Sequence, residues 1–152
     1  MEHPVDSTTG TTPSRAAALV GWRLLALLYD LFPVAGLWFV VAAVFVAVNG
    51  DAVTGGALGM VEFTVLWLVT GGYAVASWRR GGQTLGMRPW RLRVVDKDGG
   101  AASVRALVVR YVVGQLSLLL AGLGFWWAWI DRDGLAWHDR ASGTRMRREA
   151  RD

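Results

Sequence analysis

The sequence LLALLYDLFPVAGLWFVVAAVFVAV occupies residues 24–48, and Asp30 is its only charged residue. A helix needs roughly 20 consecutive apolar residues to cross the hydrocarbon core of a bilayer, so this run is long enough to span a membrane. Its apolar residues surround the helix, whereas a soluble amphipathic helix has them on one face. Lipid is therefore the partner that we expect to bury this segment.

Two further apolar blocks follow, at residues 57–78 and 106–130. Together the blocks predict an all-α integral membrane protein with helices at about residues 18–48, 57–78 and 104–130. The third block contains AGLG at residues 121–124, and each glycine weakens a helix by about 1 kcal/mol. The expected fold therefore has three helices, or four if the third block breaks, and each is transmembrane or re-entrant.

Basic residues in the loops predict the orientation of these helices. The loop at residues 49–56 contains neither Arg nor Lys, whereas residues 79–104 contain five Arg and one Lys. Segments rich in Arg and Lys remain on the cytoplasmic side of a membrane. The pattern predicts a multi-pass protein of the cytoplasmic (inner) membrane, with its N-terminus and residues 79–104 in the cytoplasm.

The third block leaves two alternatives open. If residues 106–130 cross once, a tail with six Arg ends outside the cell, against the rule that orients the first two helices. If the block turns back at its glycines, the tail returns to the cytoplasm, and the irregular backbone must be buried in protein. The charge rule favours the second alternative.

Short segments outside the blocks predict the remaining organisation. Residues 90–96 alternate apolar and charged side chains and precede KDGG, which together predict a short cytoplasmic β-hairpin. Residues 1–15, rich in Ser, Thr and Gly, are expected to form a disordered tail. The membrane domain then covers residues 16–146, and residues 147–152 form a basic C-terminal tail.

Composition excludes several kinds of site. The chain has no Cys and only two His, which argues against disulfides, thiolate chemistry and a metal site built by the protein. The net charge of +4 could suggest nucleic acid, but the basic residues flank the apolar blocks. Their position predicts contact with a membrane surface and no nucleic-acid partner.

Asp30 needs an explanation, because a charge at the centre of a membrane span costs about 2.5–3.5 kcal/mol. Arg110, one turn into the third block, is its expected neutralising partner, and Arg23 lies about two turns before it. Pro33 cannot donate to the carbonyl of Tyr29, and a free carbonyl beside a carboxylate can bind a cation. Two interpretations stay open: Asp30 is neutralised by an Arg, or it binds cations.

Glu62 lies near the outer end of the second helix, roughly 24 Å from the inner end by helical rise, whereas Asp30 is about 12 Å from the inner end of its own helix. The two acids cannot touch in straight helices. With Tyr29 they define a candidate ion path, since intramembrane acids mark such routes. The alternative is that Glu62 simply reaches water.

The segment WHDRASGT at residues 137–144 contains a His–Asp pair. A catalytic triad needs a nucleophile placed by such a pair, and Ser142 and Thr144 are too close in sequence to reach that geometry easily. We expect a structural cap or turn here. The sequence predicts no catalytic residue, no enzymatic activity and no cofactor.

The order of these residues resembles the RDD family of bacterial membrane proteins, named for one Arg and two Asp, over about residues 16–146. The resemblance implies that Arg23 is the family Arg, Asp30 the first Asp and Asp139, rather than Asp131, the second. Other positions that match the family pattern are Gln83, Thr84, Gly86, His138, Gly143 and Thr144. With these roles, we expect Arg23, Asp30, Arg110 and Asp139 to form one hydrogen-bonded network near the cytoplasmic interface.

One position departs from the family pattern. Family members often have Lys or Arg directly after Thr-Leu-Gly, whereas here Met87 holds that place and Arg88 follows. A basic role at this point of the chain is therefore expected one residue later.

Two functions remain open. Some family members have been linked to sodium–proton exchange, which implies a cation-transport role. That role would require an oligomer or partners, because three or four short helices cannot enclose a pathway. The alternative is a non-catalytic accessory or scaffold subunit of a larger envelope complex. The expected partners are the lipid bilayer and either further copies of the chain or another membrane protein.

Overall fold

The computed structural model describes residues 15–149. Of the two predicted tails, residues 1–14 and 150–152 lie outside the described part, and Arg15 begins the first helix. The elements in chain order are α1 (Arg15–Asn49), α2 (Gly56–Gly81), β1 (Leu92–Asp96), α3 (Val104–Leu119), α4 (Leu123–Ile130), α5 (Trp137–Ser142) and β2 (Thr144–Arg148). The fold is mostly helical with one small antiparallel sheet.

Within residues 15–149, α1 and α2 are the two helices long and apolar enough to cross a membrane. They leave large apolar side chains uncovered: Phe32 is 77% and Phe39 is 76% exposed. Apolar surface of this extent is stable in lipid and unfavourable in water. α2 stops at Gly82, whose left-handed φ of 69° lets its N–H donate to the carbonyl of Trp78. The polar segment of the chain therefore begins one turn after the apolar part of α2 ends.

The third apolar block breaks at its glycines. α3 and α4 meet at an angle of 98°, and the residues between them include Ala121 and Gly122, with φ values of 54° and 76°. At 1.5 Å per residue, α3 is about 24 Å long and α4 about 12 Å, whereas the hydrocarbon core is about 30 Å thick. Neither helix is long enough to cross a membrane alone.

The pairing of the two strands shows where the chain lies after the third apolar block. β1 pairs with β2 antiparallel, with Leu92 opposite Arg148 and Asp96 opposite Thr144. β1 lies between α2 and α3 in the chain, and β2 follows α5, so both ends of the third block lie on the same side of the long helices. Of the two alternatives for this block, the structure has the returning one.

The predicted β-hairpin is wrong. The turn after β1 forms, because the carboxylate of Asp96 accepts the backbone N–H groups of Asp98 and Gly100. The chain then enters α3, where Ser103 is the N-cap, so no second strand follows the turn. β1 instead pairs with β2, whose last two residues belong to the predicted C-terminal tail. An alternating sequence indicates a strand but does not indicate its partner.

The buried core lies at the end of the helices where the sheet is. Its residues come from α1, from the loops on both sides of β1, from β1 itself and from α3. They are Ala26, Met87, Leu92, Val94, Ala102 and Leu107, with a second small cluster of Val20, Ala128 and Ala136. Packing therefore fixes the ends of the helices next to the sheet, where the charged side chains also lie.

Single cysteines test this topology, since the chain has no Cys. We expect Asp98→Cys and Arg147→Cys, both at exposed positions, to react with an impermeant maleimide from the same side of sealed membranes. Ala52→Cys should react only from the opposite side, which the charge pattern predicts to be the outside. Phe39→Cys, on the lipid-facing surface, is the unreactive control. Reaction of residue 147 from the side that labels residue 52 would contradict the returning path.

Candidate functional site

A carboxylate between two guanidinium groups lies at the centre of the charge cluster, which we define as Arg23, Arg110 and Asp139. Arg23 Nη1 donates to Asp139 Oδ2 at 2.6 Å, and Arg110 Nη1 donates to Asp139 Oδ1 at 2.5 Å. All three side chains are almost completely buried. Arg110 Nη1 also donates to Thr144 Oγ1 at 2.7 Å. The cluster therefore links α1, α3, α5 and β2.

The short helix α5 positions Asp139. Its carboxylate accepts the N–H of Ala136 at 3.0 Å, one of the amides that lack a partner at the start of a helix. α5 ends at Gly143, whose left-handed φ of 65° directs the chain into β2. This turn brings Thr144 to the same guanidinium that Asp139 binds.

Asp30 is bound by neutral donors. Its Oδ1 accepts the Tyr73 hydroxyl at 2.8 Å and the Gly86 N–H at 2.9 Å, and its Oδ2 accepts the Thr84 hydroxyl at 2.5 Å. None of the ion pairs within residues 15–149 includes Asp30. The expected four-residue network is corrected accordingly: Asp30 does not pair with Arg110 or with any member of the charge cluster.

The position of the loop after α2 explains why Asp30 binds neutral donors and not an Arg. Asp30 lies seven residues beyond Arg23, or about 10 Å along the helix, and the loop folds back against α1 at that level. At Gly86 an added Cβ would lie 2.2 Å from the carbonyl oxygen of Ala26 and 2.7 Å from the backbone N of Asp30. Only a residue without a side chain fits there, and its N–H and the hydroxyl of Thr84 then reach the carboxylate.

A cavity of about 310 Å³ borders both sets of groups. It lies among α1, α2 and α3, and most of its wall is apolar. Arg23, Asp30, Arg110 and His138 are among its lining residues. Asp30 therefore lines the same cavity as Arg23 and Arg110 without forming an ion pair with either.

Tyr29 and Glu62 do not line this cavity. The ring of Tyr29 is half-exposed and packs edge-on against Trp90, with 5.6 Å between ring centroids. Glu62 is partly buried in the half of α2 away from the sheet, and its side chain has no hydrogen bond or ion pair with another residue of the described chain. The structure does not bring together the three residues of the candidate ion path.

The comparison with protein families covers almost the whole described chain. The model of the RDD family matches residues 17–143. This chain belongs to the RDD family. The expected resemblance is thereby confirmed, and the apolar helices agree with the membrane association of the family. Searches of curated proteins and of solved structures found no match.

In this RDD protein, the residues that the resemblance identifies as the family Arg and the two family Asp lie in two different sites. Arg23 and Asp139 form a buried ion pair, whereas Asp30 lies apart with its neutral donors. Three of the other positions that match the family pattern divide in the same way. Thr84 and Gly86 bind Asp30, and Thr144 binds Arg110.

Burial and the two guanidinium groups together determine the charge state of the charge cluster. Burial raises the pKa of Asp139, but Arg110 and Arg23 together lower it more, so the pKa lies below its ordinary value and the carboxylate is ionised. Burial first, and then the charge of Arg110, lowers the pKa of His138 to about 3. His138 is therefore neutral near pH 7. Two guanidinium groups against one carboxylate leave an excess charge of +1.

Tyr73 was not anticipated from the sequence. It donates to Asp30 and its hydroxyl oxygen also accepts the N–H of Leu85 at 3.0 Å, so it connects α1, α2 and the loop. A tyrosine within an apolar helix is the available signal, because its hydroxyl needs a polar partner when buried. The sequence does not indicate that the partner is Asp30.

Proposed function

We propose that this RDD protein is a cation-transport protein of the bacterial cytoplasmic membrane, which exchanges sodium ions for protons at Asp30 and works as an oligomer. The observation that supports this most directly is a carboxylate at membrane depth, on a cavity wall, without a cationic partner. Intramembrane acids are costly and mark ion and proton routes. Within residues 15–149, Asp30 forms no ion pair, which argues against a purely structural role in which an Arg neutralises it.

The neighbours of Asp30 have suitable chemistry for a hard cation. Such ions take oxygen ligands, and the hydroxyls of Tyr73 and Thr84 lie within hydrogen-bond distance of the carboxylate. Each hydroxyl donates to Asp30 when no cation is bound to the carboxylate. Rotation of the O–H bonds would present the same oxygens to a sodium ion bound at Asp30.

The charge balance of the cavity supports exchange rather than permanent binding. Counted by formal charge, the charge cluster carries +1 and the Asp30 carboxylate −1, and Arg23, Arg110 and Asp30 line the cavity, so the two groups balance when no cation is bound. A proton or sodium ion on Asp30 removes this balance. The excess charge of Arg23 and Arg110 then disfavours retention of the ion, which assists its release.

The exposed apolar surfaces of α1 and α2 support an assembly. Among the described helices, α1 and α2 leave large side chains such as Phe39 and Phe63 uncovered, and they do not enclose a route across the membrane. An oligomer with its N-termini in the cytoplasm would supply the missing walls. The same surfaces favour the alternative function, an accessory or scaffold subunit that packs against a larger envelope complex; neither proposal assigns an enzymatic step to this chain.

Purified protein in sealed vesicles tests the proposal. A sodium gradient should drive proton movement, reported by an enclosed pH-sensitive dye, and Asp30→Asn should abolish it. Asn keeps the shape of the side chain and an acceptor for Tyr73 and Gly86, but it cannot take up a proton or neutralise a cation.

Asp51→Asn is the matched control, because it makes the same chemical change in an exposed loop between α1 and α2. It should leave the rate unchanged. If folded wild-type protein moves no ions, the transport proposal fails. Co-purification of a fixed membrane partner would then favour the accessory-subunit function.

A further inference from the structure

A second polar pocket lies at the end of α2, away from the Asp30 cavity. Its volume is about 290 Å³, and its lining includes Ser77, Arg80, Gln83, Leu85 and Arg88. It contains no acidic residue, so its two guanidinium groups give it a charge of +2. None of its four polar side chains has a hydrogen bond or ion pair with another residue in the described part of the chain.

The pocket is lined by those residues of the 83–88 segment that do not bind Asp30. Within residues 83–88, Thr84 and Gly86 bind Asp30, whereas Gln83 and Arg88 line the second pocket. Arg88 is also the basic residue displaced by one position from the family pattern. Neighbouring residues of this loop therefore face two different places, the Asp30 carboxylate and the second pocket.

The position of the pocket fits a lipid headgroup. The apolar part of α2 ends at Trp78, and tryptophan is enriched at the membrane–water interface. Arg80 lies in the last turn of the same helix, so the pocket begins where the hydrocarbon ends. Leu85 is 49% exposed and presents an apolar edge beside the polar groups. A ligand with an acyl chain and an anionic headgroup contacts both kinds of surface.

We propose that this pocket binds the phosphate group of an anionic phospholipid such as phosphatidylglycerol. Arg80 and Arg88 supply charged donors, and Gln83 and Ser77 supply neutral ones, to the phosphate oxygens. A zwitterionic lipid brings its own cation and gains less from a pocket of charge +2. Binding of a lipid here does not require ion movement at Asp30.

The test uses full-length protein in lipid nanodiscs of phosphatidylcholine, titrated with phosphatidylglycerol. Thermal stability and native mass spectrometry report lipid binding. Because Arg88 would donate a charge-assisted hydrogen bond to the phosphate, Arg88→Gln should weaken the apparent affinity about tenfold. Arg80→Gln should act similarly, although it also removes a charge that complements the helix C-terminus, so Arg88 is the sharper test.

Arg79→Gln is the matched control. Arg79 is the exposed neighbour of Arg80 in the same last turn and does not line the pocket. It should lose clearly less affinity than Arg88→Gln, because it removes only a diffuse surface charge. An equal loss in Arg79→Gln and Arg88→Gln would show a diffuse basic surface and overturn the proposal. Equal stabilisation by inorganic phosphate in lipid-free detergent would assign the pocket to free phosphate and overturn the lipid assignment.

Discussion

Asp139→Asn should lower the free energy of unfolding by about 3–5 kcal/mol, the cost of removing one partner from a buried ion pair. Asn has nearly the shape of Asp, so the loss comes from charge. Arg23 and Arg110 would remain almost completely buried without the carboxylate that binds both. Reversible unfolding in mixed micelles measures the difference.

The pH dependence of wild-type stability provides a second measurement. The folded-state pKa of Asp139 lies below its ordinary value of 3.8, because Arg110 and Arg23 outweigh the effect of burial. A group of this kind stabilises the fold above its unfolded pKa. Its contribution is lost as the pH falls below about 4 toward the folded-state pKa.

Asp133→Asn is the control for Asp139→Asn, because the side chain of Asp133 is 68% exposed and pairs only at the surface with Arg140. It should change stability by less than about 1 kcal/mol. Adding Arg110→Met to Asp139→Asn should recover part of the loss, since it removes one of the two unpaired charges. If Asp139→Asn is as stable as Asp133→Asn, the cluster does not stabilise the fold.

The elements of this protein differ in how far local sequence predicts them. Long apolar runs are sufficient to predict α1 and α2, because the requirement for about 20 apolar residues depends on the segment alone. The break between α3 and α4 was suggested by Gly122 and Gly124, and the six Arg of the tail favoured the returning direction. That direction depends on β2 pairing with β1, a contact between segments about 50 residues apart, and alternation within β1 says nothing about it.

The charged residues also differ in how far the sequence predicts their partners. Arg23, Arg110 and Asp139 were expected together because buried charges need opposite charges and because family resemblance supplied Asp139. Asp30 was assigned to the same network on that argument. Its actual partners are hydroxyl and amide groups, which occur throughout the chain and give no specific signal. What selects them is the close contact of Gly86 with α1, and a glycine in a sequence does not indicate which backbone it approaches.

Gly86→Ala tests that contact, and its effect should be large because the new methyl group would meet backbone. The added Cβ would lie 2.2 Å from the carbonyl oxygen of Ala26, a distance that no rotamer change relieves. The loop and α1 must separate, and such overpacking costs typically about 1–3 kcal/mol, sometimes more. The same shift moves the donors of Thr84 and Gly86 away from Asp30, which adds the cost of an unsatisfied carboxylate.

Gly72→Ala is the matched control for Gly86→Ala. Its Cβ would have no atom within 4 Å, and Ala in a helix is favoured over Gly by roughly 0.5–1 kcal/mol, so this variant should be as stable as wild type or slightly more stable. Thr84→Val separates the two parts of the Gly86 effect, because it removes one hydrogen bond to Asp30 while keeping a side chain of similar shape. We expect the free energy of unfolding in mixed micelles to decrease less for Thr84→Val than for Gly86→Ala. Equal stability of Gly86→Ala and Gly72→Ala would mean that the loop does not press against α1, and the proposed environment of Asp30 would then be wrong.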